Sequence, residues 1–160
     1  MESFLDSLDK CEKIFLGSDH AGFDLKEKIK NILFENNISY EDLGPESSKE
    51  KVDHPDYAEK VCCNVLKNQN YKGILICGSG VGICISANKF KGIRCGLCYD
   101  ENSAISAKTK DYCNVIALGG RIIGQEVAKL IVEIFIKKNV ERDETYWKRL
   151  KKIEEIEDKN

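Results

Sequence analysis

Long apolar runs are missing from this 160-residue chain: none approaches the ~20 residues that a bilayer span requires. The opening MESFLDSLDKCEK is acidic where a secretory signal is basic and then apolar, so no such signal is expected. The expectation is a cytoplasmic protein with no membrane partner. Charge of one sign is not in excess either. With 32% charged residues and a net charge of −2, the chain offers no electrostatic case for nucleic acid, and a small neutral or anionic ligand suits it better. Repeats and low-complexity tracts are lacking, and the one long polar loop is GPESSKEKVD, from Gly44 to Asp53.

The common nucleotide signatures are also absent. Gly78, Gly80 and Gly82 follow the apolar stretch GILIC, but G-x-G-x-x-G lacks its last glycine, and Ile83 and Cys84 stand where a phosphate loop would have Lys-Ser/Thr. Histidines number only two, His20 and His54. Cysteine is plentiful at eight, yet several lie inside apolar segments rather than in the loop-rich setting of a disulfide scaffold, so the thiols are read as reduced. Cys95 and Cys98 have a C-x-x-C spacing. Side chains three apart on a strand face opposite ways and no second ligand pair follows, which argues against both zinc and a redox dithiol there.

What is present is an alternation of strand-like and helix-like segments. Strands are read at Lys13 to Ser18, Ile38 to Leu43, Gly73 to Cys77, Arg94 to Cys98 and Val115 to Leu118. Helices are read at Gly22 to Glu35, Pro55 to Lys67, Val81 to Lys89, Glu101 to Thr109 and Gly124 to Lys138. This predicts an α/β three-layer sandwich, Rossmann-like, with a five-stranded parallel sheet in the order 2-1-3-4-5. A C-terminal helix from Thr145 follows, with Trp147, Leu150 and Ile153 roughly on one stripe; it either lies on its own domain or reaches a neighbouring subunit. A single domain is assigned to 13–153, with 1–12 an extension and 154–160 a tail.

Open sheets of this kind bind ligands beyond the carboxyl ends of the strands where the winding reverses, here between the first and third strands. Asp19 and His20 follow the first strand, Cys77 and Ser79 the third, and Arg121 the fifth. His54, after the long loop, reaches the same rim. Each has a plain structural reading: Asp19 as a helix cap, His20 as a loop histidine, Cys77 as one buried thiol among eight. Taken together, a thiol, an acid, a histidine, an amide-lined loop and an arginine suit proton transfer on a small phosphorylated molecule.

The segments GSDHAGFDLK, VDHPDYA, GILICGSGVGICISANKFKGIR and NVIALGGRIIG resemble the type B ribose-5-phosphate isomerases, grouped with galactose-6-phosphate isomerase subunits. The resemblance runs from about Lys13 to Ile153. It implies interconversion of ribose 5-phosphate and ribulose 5-phosphate through a cis-enediolate, with no metal or organic cofactor. By position, it implies Cys77 as the base, with Ser79 and the amides of Gly78, Gly80, Val81 and Gly82 around the enediolate. Asp111 is carried over to the same anion site. Asp19 and His20 are implied near the ring oxygen and phosphate. Arg121 and Arg149 are implied on the phosphate, the latter from a partner subunit, in a homodimer or dimer of dimers. Allose or galactose 6-phosphate as substrate, or a silent sugar-phosphate binder, are the alternatives.

This chain departs from the resemblance at two places. Lys110-Asp111 stands where bacterial members have His-Asn, whose histidine opens the furanose ring, and Thr145 stands where a first arginine belongs. The expectation is that His20, paired with Asp19, opens the ring, that His54 is the weaker candidate, and that Lys110 is electrostatic or structural. Arg142, one turn before Thr145, is the candidate to compensate on the phosphate.

Overall fold

The computed structural model describes residues 1–160. Strands β1 (Lys13–Ser18), β2 (Tyr40–Asp42), β3 (Tyr71–Cys77), β4 (Cys95–Leu97) and β5 (Val115–Gly119) alternate with helices. The helices are α1 (Glu2–Asp9), α2 (Phe23–Glu35), α3 (His54–Val65), α4 (Val81–Ala87), α5 (Glu101–Ile105), α6 (Gln125–Lys137) and α7 (Glu144–Asp158). All strand pairs are parallel. Period-two alternation sends successive side chains to opposite faces. Ile14, Leu16, Ile74, Ile76, Ile116 and Leu118 pack into the layer with α2 and α6. Phe15, Leu75, Cys77, Val115 and Ala117 pack into the layer with α3 and α4.

The strand order is β2-β1-β3-β5-β4, not the expected 2-1-3-4-5. The reason lies in the apolar content of the last two strands. VIALG is buried along its whole length, as a strand covered on both faces must be, whereas CGL is buried only at Cys95 and so takes the edge. The exchange matters for function, because β5 now lies directly against β3. Gly120 N–H donates to Cys77 O at 2.8 Å and Arg121 N–H to Gly78 O at 3.0 Å, which places Arg121 beside the glycine loop rather than two strands away.

Other differences are local. Residues 1–12, read as an extension, contain α1, whose Leu5 and Leu8 pack with Tyr112, Val140 and Leu150 in a third cluster. The last helix runs on to Asp158, through most of the expected tail, and lies on its own domain through Leu150. The helix expected to reach Thr109 changes after Ile105 into a π-helical turn, Ser106–Lys110, closed by Asp111 N–H on Ser106 O at 3.0 Å. Cys95 and Cys98 fall into the cores on opposite sides of the sheet, as strand alternation requires. No helix is long and apolar enough to cross a membrane.

Candidate active site

Beyond the carboxyl ends of β1, β3 and β5 opens a cleft of about 450 Å³ lined by Asp19, His20, His54, Cys77, Gly78, Ser79, Gly82 and Arg121, with Ala21 and Ile122. Each residue arrives for a local reason. β3 ends at Cys77 because the chain must turn sharply there. Gly80 takes φ +82°, in the left-handed region that glycine enters without a Cβ penalty. That turn brings Gly80 N–H to within 3.1 Å of Cys77 Sγ, and Cys77 is only 4% exposed. An amide aimed at sulfur is an arrangement that holds negative charge on it. The next amide, Val81 N–H, donates to Ser79 Oγ at 3.1 Å, and Tyr99 Oη donates to Ser79 O at 2.9 Å, which fixes the loop from outside.

These contacts revise the expected anion seat. The amides of Gly80 and Val81 are engaged, on sulfur and on Ser79 Oγ, and Val81 lies outside the lining of the cleft. Gly78, Ser79 and Gly82 donate to no other atom of the chain, so the amides open to a ligand are theirs. The Arg121 side chain runs across Gly78: a Cβ there would lie 3.5 Å from its Cδ and 3.6 Å from its Nη1.

On the β1 side, Asp19 is 8% exposed and its Oδ1 accepts Gly22 N–H at 2.9 Å. The expected pairing of Asp19 with His20 does not occur, because the carboxylate closes the turn into α2 while the imidazole points to the long loop. His20 Nδ1 lies 3.2 Å from Val52 N and 3.3 Å from Val52 O, so it has a partner whether or not it carries a proton. The long loop is anchored at its start. Fully buried Lys26 donates to Asp42 Oδ2 at 2.5 Å and to Pro45 O at 3.0 Å, and Asp42 Oδ1 accepts Gly44 N–H at 2.8 Å. Although burial raises the Asp42 carboxyl, its hydrogen bonds from Lys26, Gly44 and Lys30 outweigh it, and the pKa is lowered. His54 opens α3 as its first residue, followed by Pro55, and its ring stands over Gly82, where a Cβ would come within 2.6 Å of Nε2.

Four candidates lie elsewhere in the chain. Lys110 Nζ and the Arg149 guanidinium both stand 5.8 Å from the Tyr146 ring centroid, outside this cleft. Asp111 lines a different groove, between the edge strand β4 and the end of α7, and accepts from Ser106 Oγ at 3.1 Å. Arg142, expected to compensate on the phosphate, is clasped by α1: Glu2 at 3.3 Å, Asp6 at 2.6 Å and Asp9 at 2.9 Å. The hydrogen bonds it donates, first to Asp6 and then to Asp9, raise its pKa further, and it serves to tie α1 to the chain before α7.

A thiol under an amide, a glycine loop with unengaged N–H groups, two histidines and an arginine at the mouth of a parallel sheet define an α/β protein equipped for proton transfer on a small anion. Comparison with known proteins narrows this class. Residues 14–153 match the ribose/galactose isomerase family, and the chain belongs to it. It is 44% identical to ribose-5-phosphate isomerase B of Escherichia coli over 125 residues, 78% of this chain and 83% of that protein. It is 39% identical to D-erythrulose-4-phosphate isomerase of Pectobacterium atrosepticum over 119 residues, 74% of this chain and 78% of the relative. Among solved structures, a ribose 5-phosphate isomerase from Thermotoga maritima superposes with a TM-score of 0.85 at 43% identity, covering 89% of this chain and 97% of the other. Ribose-5-phosphate isomerase B from Mycoplasma genitalium with bound ribulose 5-phosphate gives 0.87 at 38% identity, covering 92% and 97%.

Proposed function

We propose that the protein interconverts ribose 5-phosphate and ribulose 5-phosphate through a cis-enediolate, as an enzyme of the pentose phosphate pathway in the cytoplasm. The observation that carries the mechanism is the 3.1 Å contact from Gly80 N–H to Cys77 Sγ inside a cleft that also holds Asp19, His20 and Arg121. Cys77 takes the proton from C2 of the open-chain aldose and returns it to C1, while the hydroxyl proton of O2 passes to O1 across the enediolate. The amides of Gly78, Ser79 and Gly82, with the Ser79 hydroxyl, stabilise the enediolate oxygens, a role in which one donor is typically worth about 3–4 kcal/mol of barrier. Arg121 holds the phosphate. No metal or organic cofactor takes part in this scheme.

Sugar phosphates are largely cyclic, so the ring must open first. Lys110 is off the cleft of its own subunit, whereas His20 is in it and keeps a Val52 partner at Nδ1 through a change of protonation. His20 is therefore assigned to ring opening. Arg149 is also off its own cleft, exposed on α7, which supports its service to the phosphate of a neighbouring subunit in a homodimer or dimer of dimers.

The test is direct turnover of ribose 5-phosphate by purified protein, with and without chelator. Chelator-resistant conversion to the ketose supports the reading; absence of conversion at any concentration overturns it. The resemblance to an erythrulose-4-phosphate isomerase favours a second reading, a four-carbon substrate. Assaying that sugar phosphate alongside the pentose and the allose and galactose 6-phosphates ranks them by kcat/KM.

A further inference from the structure

Ser86, half-buried on the side of α4 that meets α3, makes two contacts that bear on the tautomer of His54. Its Oγ lies 3.0 Å from Gly82 O and 3.3 Å from His54 Nδ1. A carbonyl oxygen can only accept, so the contact with Gly82 takes the single hydroxyl proton, in the usual back-bond of a helical serine four residues on. The serine oxygen then faces Nδ1 with lone pairs only, and the 3.3 Å contact is a hydrogen bond only if Nδ1 carries the proton. In the neutral ring Nε2 is consequently bare. Nε2 is the atom over Gly82, and His54 lines the same cleft as Cys77 and His20.

We infer that His54 Nε2 is the base of ring opening and that Ser86 is its positioning residue, holding the tautomer that leaves Nε2 free to accept a proton. This rests on the isomerase reading above and supplies the partner that His20 needs. His54 Nε2 takes the proton from the anomeric hydroxyl, and the C1–O bond of that hydroxyl becomes the aldehyde carbonyl. The bond from C1 to the ring oxygen breaks, and the ring oxygen keeps its electron pair and takes the Nε2 proton of protonated His20. His20 Nδ1–H stays on Val52 O before and after the transfer. One proton leaves the sugar and one enters it, with no change of oxidation state.

Two readouts test this on the intact protein. ¹⁵N spectra of the imidazoles are expected to show neutral His54 as the Nδ1–H tautomer in the wild type and in Ser86→Thr, and a shift toward Nε2–H in Ser86→Ala. Early-time rates compare cyclic ribose 5-phosphate with ribulose 5-phosphate, which has no furanose to open. His54→Gln is expected to slow the aldose direction by about 10²-fold, the usual lower range for a lost general base, and the ketose direction by a clearly smaller factor. Ser86→Ala should slow the aldose direction in the same selective way, and Ser86→Thr should restore it. Retained ketose turnover certifies that each variant is folded. An Nε2–H tautomer in the wild type, or equal slowing of both directions in His54→Gln, overturns the inference. A wild-type protein inactive on both pentoses would instead overturn the isomerase reading beneath it.

Discussion

Gly80 N–H donates to Cys77 Sγ across 3.1 Å, so the residue that turns the chain out of β3 also faces the sulfur at that strand's end. Gly80 has φ +82°, and a Cβ on it would come within 2.9 Å of the Leu118 carbonyl carbon and 2.8 Å of Leu97 Cδ1. Gly80→Ala should therefore be costly twice. The left-handed backbone alone disfavours an L-residue by roughly 1–2 kcal/mol, and the backbone of β5 cannot move aside cheaply. A lower urea midpoint together with a large loss of turnover is expected. Full activity at unchanged stability would show that the loop does not depend on this turn.

Cys77→Ala removes the sulfur but little else, since its site is nearly closed and alanine fits the space. The fold and the binding of ribulose 5-phosphate should survive while turnover disappears, because a base contributes to the transition state rather than to ground-state contacts. Isothermal titration and a pentose assay on the same preparation separate the two effects. Turnover within about tenfold of wild type, about 1.36 kcal/mol of barrier, would remove the thiolate from the mechanism.

The layered architecture and the location of the cleft were legible in the sequence, because runs such as GILIC and VIALG end in glycines and alternate with helical periods. The order of the last two strands was not predicted correctly, although a signal existed: VIALG is apolar throughout and CGL is not, so only the former suits an inner position. Helix α1 escaped notice because eight residues give too few turns for a period, and its apolar Leu5 and Leu8 have meaning only beside Tyr112 and Leu150. Buried Lys26, Lys72 and Lys108 contradict the rule that lysine marks the surface, and no pattern announces such exceptions. In the site, the residues meeting at the rim followed from strand ends alone. Which loop amides are already engaged, and that Ser86 touches His54, depend on side-chain directions that spacing does not encode.

The proposed service of Arg149 to a neighbouring subunit gives a prediction by complementation. Arg149 is exposed on α7 and does not line its own cleft, and in the proposed homodimer a chain carrying Cys77→Ala and a chain carrying Arg149→Ala would each lack one part of every site. In a mixed dimer, one of the sites would combine an intact Cys77 with an intact Arg149. Mixing the two inactive or weakened proteins under conditions of subunit exchange should restore part of the turnover. Exchange demonstrated by mass spectrometry with no recovery of activity would place Arg149 outside the partner's site.

A last prediction concerns stability rather than catalysis, at the opposite end of the sheet. Lys108 is 1% exposed and its Nζ donates to Leu8 O at 2.5 Å, which fastens α1, while neighbouring Lys72 is equally buried and its Nζ has no hydrogen-bond partner. Burial, and after it the charge of Lys72, lowers the Lys108 pKa from 10.5 to about 7. Below about pH 7 the folded and unfolded chains both hold this proton, and the folded state bears the whole cost of a buried charge. Above that, the folded chain has released a proton that the unfolded chain retains up to its pKa of 10.5, so stability rises with pH. Cys62, Cys98 and Cys113 act in reverse: burial pushes each thiol up to about 12 from 9.0, so the folded state keeps protons that the unfolded state loses, and stability falls beyond pH 9. Between pH 7 and 9 two other groups act in the same direction, the Cys84 thiol, lowered from 9.0 to about 7 chiefly by its hydrogen bond with Cys95, and Lys72, lowered by burial, so the Lys108 share is read as the difference between wild type and Lys108→Met. The Lys108 share of the rise in urea midpoint across that window should be the equivalent of about 1–2 kcal/mol, with relaxation of the buried site keeping it below the full 1.36 kcal/mol per pH unit. Lys108→Met should flatten the rise and be most stabilising, relative to wild type, at pH 6, where the neutral side chain avoids the buried charge. Parallel curves for the two proteins would mean that Lys108 stays charged in the fold and that its bond to Leu8 is an ammonium bond throughout.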